Sequence, residues 1–177
     1  MTPADEPVLL GPLVVGLGAP DRGDDAVGLA VARSVGVLGL SGVQVTEHED
    51  PTGLIDLWAD RGVTVVIDAV VSGQPPGTVH VVETGSDAAA LPESAWAGEG
   101  RGGTHAFGIA AAVELARALG RLPRRLVIVG VEAAGFDYGT ALSVPVAAAV
   151  PDAVAQVLAV LHGEDGRSPR AASAPEG

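Results

Sequence analysis

The sequence predicts an α/β protein, a three-layer α/β/α sandwich around a five-stranded, mostly parallel twisted sheet. Three observations lead there. Runs rich in Val, Leu and Ile at 13–17, 63–67 and 126–131 lack alternation, as strands covered on both faces do. Stretches with helical apolar spacing separate them. Polar, glycine-bearing turns follow them, giving the alternation of strand and helix that builds a parallel sheet.

The elements follow in order. Residues 1 to about 10 are polar and proline-bearing, and 13–17 form the first strand. A helix is expected over 24–38, with Val27, Val31, Val35 and Leu38 along one stripe and Ala30 and Ser34 allowing close approach to the sheet. Residues 43–47 alternate as a half-exposed second strand that runs into the polar loop 48–53; a short helix at 54–59 turns Leu54, Leu57 and Trp58 towards the core. The run 63–67 ends at Asp68. After the turn 72–77, residues 78–83 give a fourth strand able to return antiparallel as an edge. Residues 84–104 lack periodicity and collect Gly98, Gly100, Gly102 and Gly103, the mark of a functional or disordered loop. A largely apolar helix is expected over 105–120, with Thr104 as N-cap, then the last strand at 126–131. Pro151 fits the first position of a final helix ending near His162. One domain, 11–163, with flexible tails at 1–10 and 164–177, is the resulting organisation.

Composition narrows the function. The 177 residues contain no cysteine, which removes disulfides, thiolate metal sites and a cysteine nucleophile and fits a reducing compartment. A formal net charge of −12 with ten basic residues argues against a nucleic-acid partner and suits a metal ion or a basic protein segment. The N-terminus has no positive region of a signal peptide, and no apolar run approaches the ~20 residues of a membrane span. A cytoplasmic, monomeric protein without a membrane partner is expected.

Three side chains from separate segments fall at the same edge of the predicted sheet: Asp25 after the first strand, Asp68 after the third, and His105 at the start of a helix. Two carboxylates and an imidazole form a first shell suited to a borderline divalent ion such as zinc or nickel. Each also has a structural reading. Asp24 and Asp25 suit the positive end of a helix dipole, Asp68 could bond backbone amides, and His105 could merely begin its helix. His48, beside Glu49 and Asp50, competes because it ends the second strand at that edge. His80 alternates between valines as an edge residue, and His162 suits a helix C-terminus. A dinucleotide fingerprint fails, because its third glycine would be Asp21 and the pyrophosphate would face Asp24 and Asp25. No P-loop or Gly-x-Ser-x-Gly elbow occurs.

Four stretches together resemble the hydrogenase maturation endopeptidases, which trim a C-terminal peptide from the precursor of the nickel–iron hydrogenase large subunit. They are Gly16-Leu-Gly-Ala-Pro-Asp-Arg-Gly-Asp-Asp-Ala-Val-Gly28, Val66-Ile-Asp-Ala-Val70 with Pro76-Gly-Thr-Val79, Thr104-His-Ala-Phe-Gly108, and Leu142-Ser-Val-Pro145 with Val150-Pro-Asp-Ala-Val154. The resemblance spans Leu13 to about Leu161. It implies the same sandwich fold and places the family's metal-contacting residues on Asp25, Asp68 and His105. It further implies that nickel arrives bound in the precursor, that zinc or another divalent ion could occupy the site in vitro, and that the precursor is a transient partner. Departures fall in the loops: Ala19 and Pro20 stand where the family carries Asn after the second glycine, Ala26 replaces a glycine, and Pro51-Thr52 replaces a glycine-threonine step. Two other readings compete. A metal-dependent chaperone could hold the same precursor without cutting it. The opening Leu13-Val-Val-Gly-Leu-Gly-Ala-Pro20 also resembles bacterial peptidyl-tRNA hydrolases, but Asp24 and Asp25 stand where a histidine and asparagine belong, and an RNA-binding hydrolase requires a basic face.

Overall fold

The computed structural model describes residues 9–88 and 104–165, with the side chains of 104–107 and 164–165 excepted. Most of the expected N-terminal tail, most of the glycine-rich stretch before His105 and the tail from 166 lie outside the described residues. In chain order the elements are β1 (Leu13–Leu17), a 3-10 turn (Gly23–Ala26), α1 (Val27–Val37), β2 (Gln44–His48), a second 3-10 turn (Pro51–Gly53) and α2 (Leu54–Trp58). There follow β3 (Val63–Val70), β4 (Val79–Thr84), α3 (Thr104–Ala118), β5 (Arg125–Glu132) and α4 (Val144–Asp165).

The five strands lie in the order β2-β1-β3-β5-β4. The first four of these are parallel, and β4 pairs antiparallel with β5 as an edge, as expected from its sequence. Successive side chains of a strand point to opposite faces, so each central strand feeds two cores. Val14, Val65, Ile67, Val127 and Val129 meet Val27, Val31 and Val35 of α1 and Val146, Ala153 and Val157 of α4. Leu13, Val15, Leu17, Val66 and Ile128 meet Leu54 and Trp58 of α2 and Ile109 and Val113 of α3 on the other face. The architecture is the expected α/β/α sandwich.

Four expectations need correction. Leu38 and Ser34, expected on the sheet-facing side of the first helix, are exposed, and Gly28 and Ala32 make the close approach to the sheet instead. Asp68 does not end its strand, because β5 continues the ladder to Val70↔Glu132. Pro151 lies inside α4 rather than at its start. The buried positions Val146, Ala149, Ala153, Val157 and Val160 keep helical spacing straight through it, while Pro151 and Ala147 sit on the exposed face. The carbonyl that loses its i+4 amide can therefore be hydrated, and packing outweighs the ~3 kcal/mol a proline costs inside a helix. Finally, Val144–Gly163 is long and apolar enough to span a bilayer. In this fold a third of that stretch is buried, as a stripe packed against the sheet and α1.

The chain leaves β1, crosses one face through α1 to the edge strand β2, and returns over the other face through α2 to β3 on the far side of β1. Strand order thus reverses between β1 and β3, making the crevice at their carboxyl ends the topological switch point. Helix α1 starts directly above it. A Cβ on Gly28 would lie 2.2 Å from the carbonyl oxygen of Leu17 and 2.5 Å from that of Ile67, and one on Gly16 would lie 2.3 Å from the carbonyl oxygen of Gly28. Gly28→Ala should gain about 1 kcal/mol in helix propensity but force backbone apart, for a net loss of about 3 kcal/mol. Urea denaturation checks the sign.

Candidate active site at the switch point

Asp25 and Asp68 stand at this crevice, one from the turn after β1 and one from β3. Asp25 lies in the 3-10 turn, which packs on β3. Its Oδ2 accepts a hydrogen bond from the backbone N–H of Ala19 at 3.0 Å, which holds the carboxylate beside the loop leaving β1. Gly18 permits this with φ of +138°, and a Cβ there would overlap the carbonyl oxygen of Asp25 at 1.9 Å. The last β1–β3 register pair is Gly16↔Ile67, so Asp68 is the first β3 residue beyond that ladder. It is fully buried, and its Oδ1 accepts the N–H of Ala69 at 2.9 Å.

Register extends the row outward. His48 pairs with Leu17, one step beyond Gly16, so His48, Leu17 and Asp68 are level across three strands. The Nδ1 of His48 accepts the N–H of Asp50 at 3.2 Å, its carbonyl accepts the N–H of Gly18 at 3.0 Å, and its ring lies against Gly53. Asp50 caps the second 3-10 turn by accepting the N–H of Thr52 at 2.8 Å. His105 is the second residue of α3, one turn before Gly108, whose α-carbon approaches Pro51 so closely that a Cβ would lie 2.8 Å from its ring. That contact brings the start of α3 to the same edge; the His105 side chain is outside the description. Among the described side chains, no group of three His, Asp or Glu is arranged to hold a metal.

The two adjacent aspartates divide their work. Asp24, 1% exposed, turns away from the crevice and accepts four hydrogen bonds. The N–H groups of Ala134 and Gly135 reach Oδ2 at 2.8 and 3.2 Å, the N–H of Ser143 reaches Oδ1 at 2.6 Å, and the Ser143 hydroxyl donates to Oδ2 at 2.9 Å. Backbone bonds from Gly23 to Thr140, Asp24 to Gly135 and Gly139 to Asp21 reinforce the junction. Asp24 is thus a clamp between the loop after β1 and the loop before α4. The sequence marked the acidic pair but not which member was structural, nor that Ser143 was its partner. Glu132 is a second clamp at the end of β5, accepting from the N–H of Ser72, the Ser72 hydroxyl and the N–H of Gly73, with His80 Nε2 at 3.2 Å.

Beside Gly18 an open cavity of about 270 Å³ is lined by Pro20, Leu29, Arg33, Glu47, His48 and Glu49. Arg33 donates two hydrogen bonds to Glu47, at 2.8 and 2.7 Å. The guanidinium holds the Glu47 carboxyl below its ordinary range, chiefly through the hydrogen bonds, with desolvation opposing them and charge attraction adding a smaller part.

The sequence profile of HycI, the hydrogenase maturation protease, matches residues 50–160. The chain belongs to this family. It is therefore a protease of hydrogenase maturation, and the chaperone and peptidyl-tRNA hydrolase readings fall away. Solved structures agree in fold. The hydrogenase maturating endopeptidase HybD from E. coli is 24% identical with a TM-score of 0.70, over 87% of this chain and 93% of that one. The [NiFe] hydrogenase maturation protease HybD from Thermococcus kodakarensis is 25% identical with a TM-score of 0.64, over 85% and 99%. The endopeptidase HycI from Escherichia coli is 15% identical with a TM-score of 0.58, over 94% and 99%. No curated protein sequence matches the chain. The family match begins at residue 50, so it does not cover the first loop or Asp25.

Asp24→Ala leaves three backbone amides without their acceptor and should cost about 3 kcal/mol or more, whereas Ser143→Ala should cost about 1 kcal/mol; thermal and urea unfolding rank the two. The Arg33–Glu47 pair should show an acid dependence. Because the folded state depresses the Glu47 pKa, its stabilisation is present above the unfolded-state value and lost as pH falls through the folded one. Glu47→Gln should flatten that part of the stability profile, and salt should weaken the pair because both groups are solvent-exposed.

Proposed function

We propose that this protease removes a C-terminal peptide from the nickel-loaded precursor of a nickel–iron hydrogenase large subunit, and that Asp25, Asp68 and His105 contact the nickel the precursor carries. What supports this reading most is the placement of Asp25, in the turn packed on β3, and Asp68, just past the β1–β3 ladder, at the switch point, with the first turn of α3 at the same edge. Two carboxylates and an imidazole are hard and borderline donors suited to a divalent ion, and three protein ligands leave positions for the precursor's own. Zinc or another divalent ion would fit the same donors in vitro.

On this reading the metal is part of the substrate, and ligation docks the precursor with its scissile bond in the crevice. Water then attacks the scissile carbonyl, a site carboxylate accepts its proton, and the departing amine receives one as the C–N bond breaks. The buried setting of both aspartates strengthens such ligation, since water competes poorly there. Having the ion in the substrate also makes cleavage conditional on metal loading.

Mass spectrometry of a nickel-loaded precursor incubated with the protein should show loss of a C-terminal peptide, with the nickel-free precursor intact. Asp25→Asn, Asp68→Asn and His105→Ala should each reduce processing by at least about a hundredfold while the far-ultraviolet circular dichroism is unchanged. Normal cleavage by a folded variant would remove that residue from the site.

A further inference from the structure

We propose that Arg22 anchors a carboxylate of the peptide segment being removed, and so selects the substrate; this rests on the C-terminal processing reading above. Arg22 stands three residues before Asp25, and its carbonyl accepts the N–H of Asp25 at 3.2 Å. Its guanidinium carbon lies 6.0 Å from the centroid of the Phe136 ring and 5.5 Å from that of Tyr138. These are two of the five aromatic side chains in the sequence, both contributed by the loop that Asp24 clamps. These cation–π contacts hold the guanidinium near the rings without using its hydrogen-bonding groups.

Among the described residues, no hydrogen bond or ion pair engages this guanidinium, and Nε is buried without an acceptor. The contrast with its counterparts is clear. Arg33, Arg61, Arg117, Arg121 and Arg125 all donate to protein oxygens; among the described residues only Arg124, before β5 at the opposite end of the strands, shares with Arg22 a guanidinium without such a partner. Arg22 alone, among the described arginines, stands in a loop at the carboxyl edge of the parallel strands. Tyr138 is 79% exposed, so the stack opens to solvent at the rim of the crevice rather than closing into the core.

Charge supplies the identity of the ligand. A C-terminal segment always ends in a carboxylate, and a chain of net charge −12, with Asp24, Asp25 and Asp68 buried at this edge, repels it. A pre-oriented guanidinium is the group that offsets this repulsion, and a carboxylate matches its fork. The carboxylate could be the terminal one or an acidic side chain of the segment.

The test compares wild type, Arg22→Gln and Arg22→Lys on four nickel-loaded precursors: unmodified, amidated at the C-terminus, with Asp and Glu of the segment changed to amides, and with both changes. On the unmodified precursor Arg22→Gln should raise KM about tenfold with kcat within about twofold, and Arg22→Lys should retain part of the affinity. The Arg22→Gln penalty should vanish on the amidated precursor if the terminal carboxylate is the ligand, or on the side-chain variant if an acidic residue is. An equal penalty on all four, a loss confined to kcat, or no penalty would overturn the proposal. Tyr138→Ala, which removes an exposed ring, should raise KM about threefold and guards against a misfolded Arg22 variant. Precursor affinity measured by calorimetry separates the two readings. Binding without cleavage by wild type sinks the protease assignment of this substrate yet leaves the Arg22 comparison intact; cleavage indifferent to Arg22 sinks only this inference; no binding at all sinks both.

Discussion

The site depends on a buried negative charge whose carboxylate accepts four hydrogen bonds from the loop before α4. Removing the Asp24 carboxylate from water carries a large desolvation cost, and the fold offsets it with four donors drawn from one loop. Such a group has no good alternative arrangement, because a shift of the loop strands either a charge or several amides. Asp24 therefore sets where the loop before α4 lies, where the 3-10 turn begins, and in which direction the next residue points. Asp25 reaches the crevice because Asp24 cannot.

The same logic recurs on the other side of the sheet. Glu132 is as buried as Asp24 and gathers Ser72, Gly73 and His80 to itself, closing the corner between β3, β4 and β5. Two of the carboxylates at the carboxyl edge are thus committed to architecture and hold the loops around the other two. Close backbone contact completes the frame. Gly16 and Gly28 let α1 sit directly on β1 and β3, and Gly18 lets the chain turn under Asp25. The short loop after β1 and the first turn of α1 are consequently a rigid platform, which is what a group that must meet an incoming ligand requires.

On the proposed reading, a maturation protease that meets a metal in its substrate needs little machinery beyond a few donors in fixed places. The structure offers two buried aspartates at the switch point, an open cavity beside β2, and an arginine lying over two aromatic rings. Selectivity then has two separable sources, the ion and the polypeptide around it.

The sequence by itself determined the layers and most of the edges. Unalternating runs in β1, β3 and β5 could be stable only when covered on both faces, and the alternating, half-exposed β2 could only be an edge. The ordered motifs marked Asp25, Asp68 and His105 and the family the chain belongs to. Local pattern misjudged α4, since a proline rule is local whereas the apolar stripe that carries the helix past Pro151 is stabilised by β3, β5 and α1. Nor could it divide Asp24 from Asp25, because the partners that distinguish them are 110 to 119 residues away. Arg22 was invisible for the same reason: an arginine in a polar loop is unremarkable until Phe136 and Tyr138 are brought over it. Residue types and spacing determined which groups could do chemistry; long-range hydrogen bonds and packing alone decided which were committed to holding the fold.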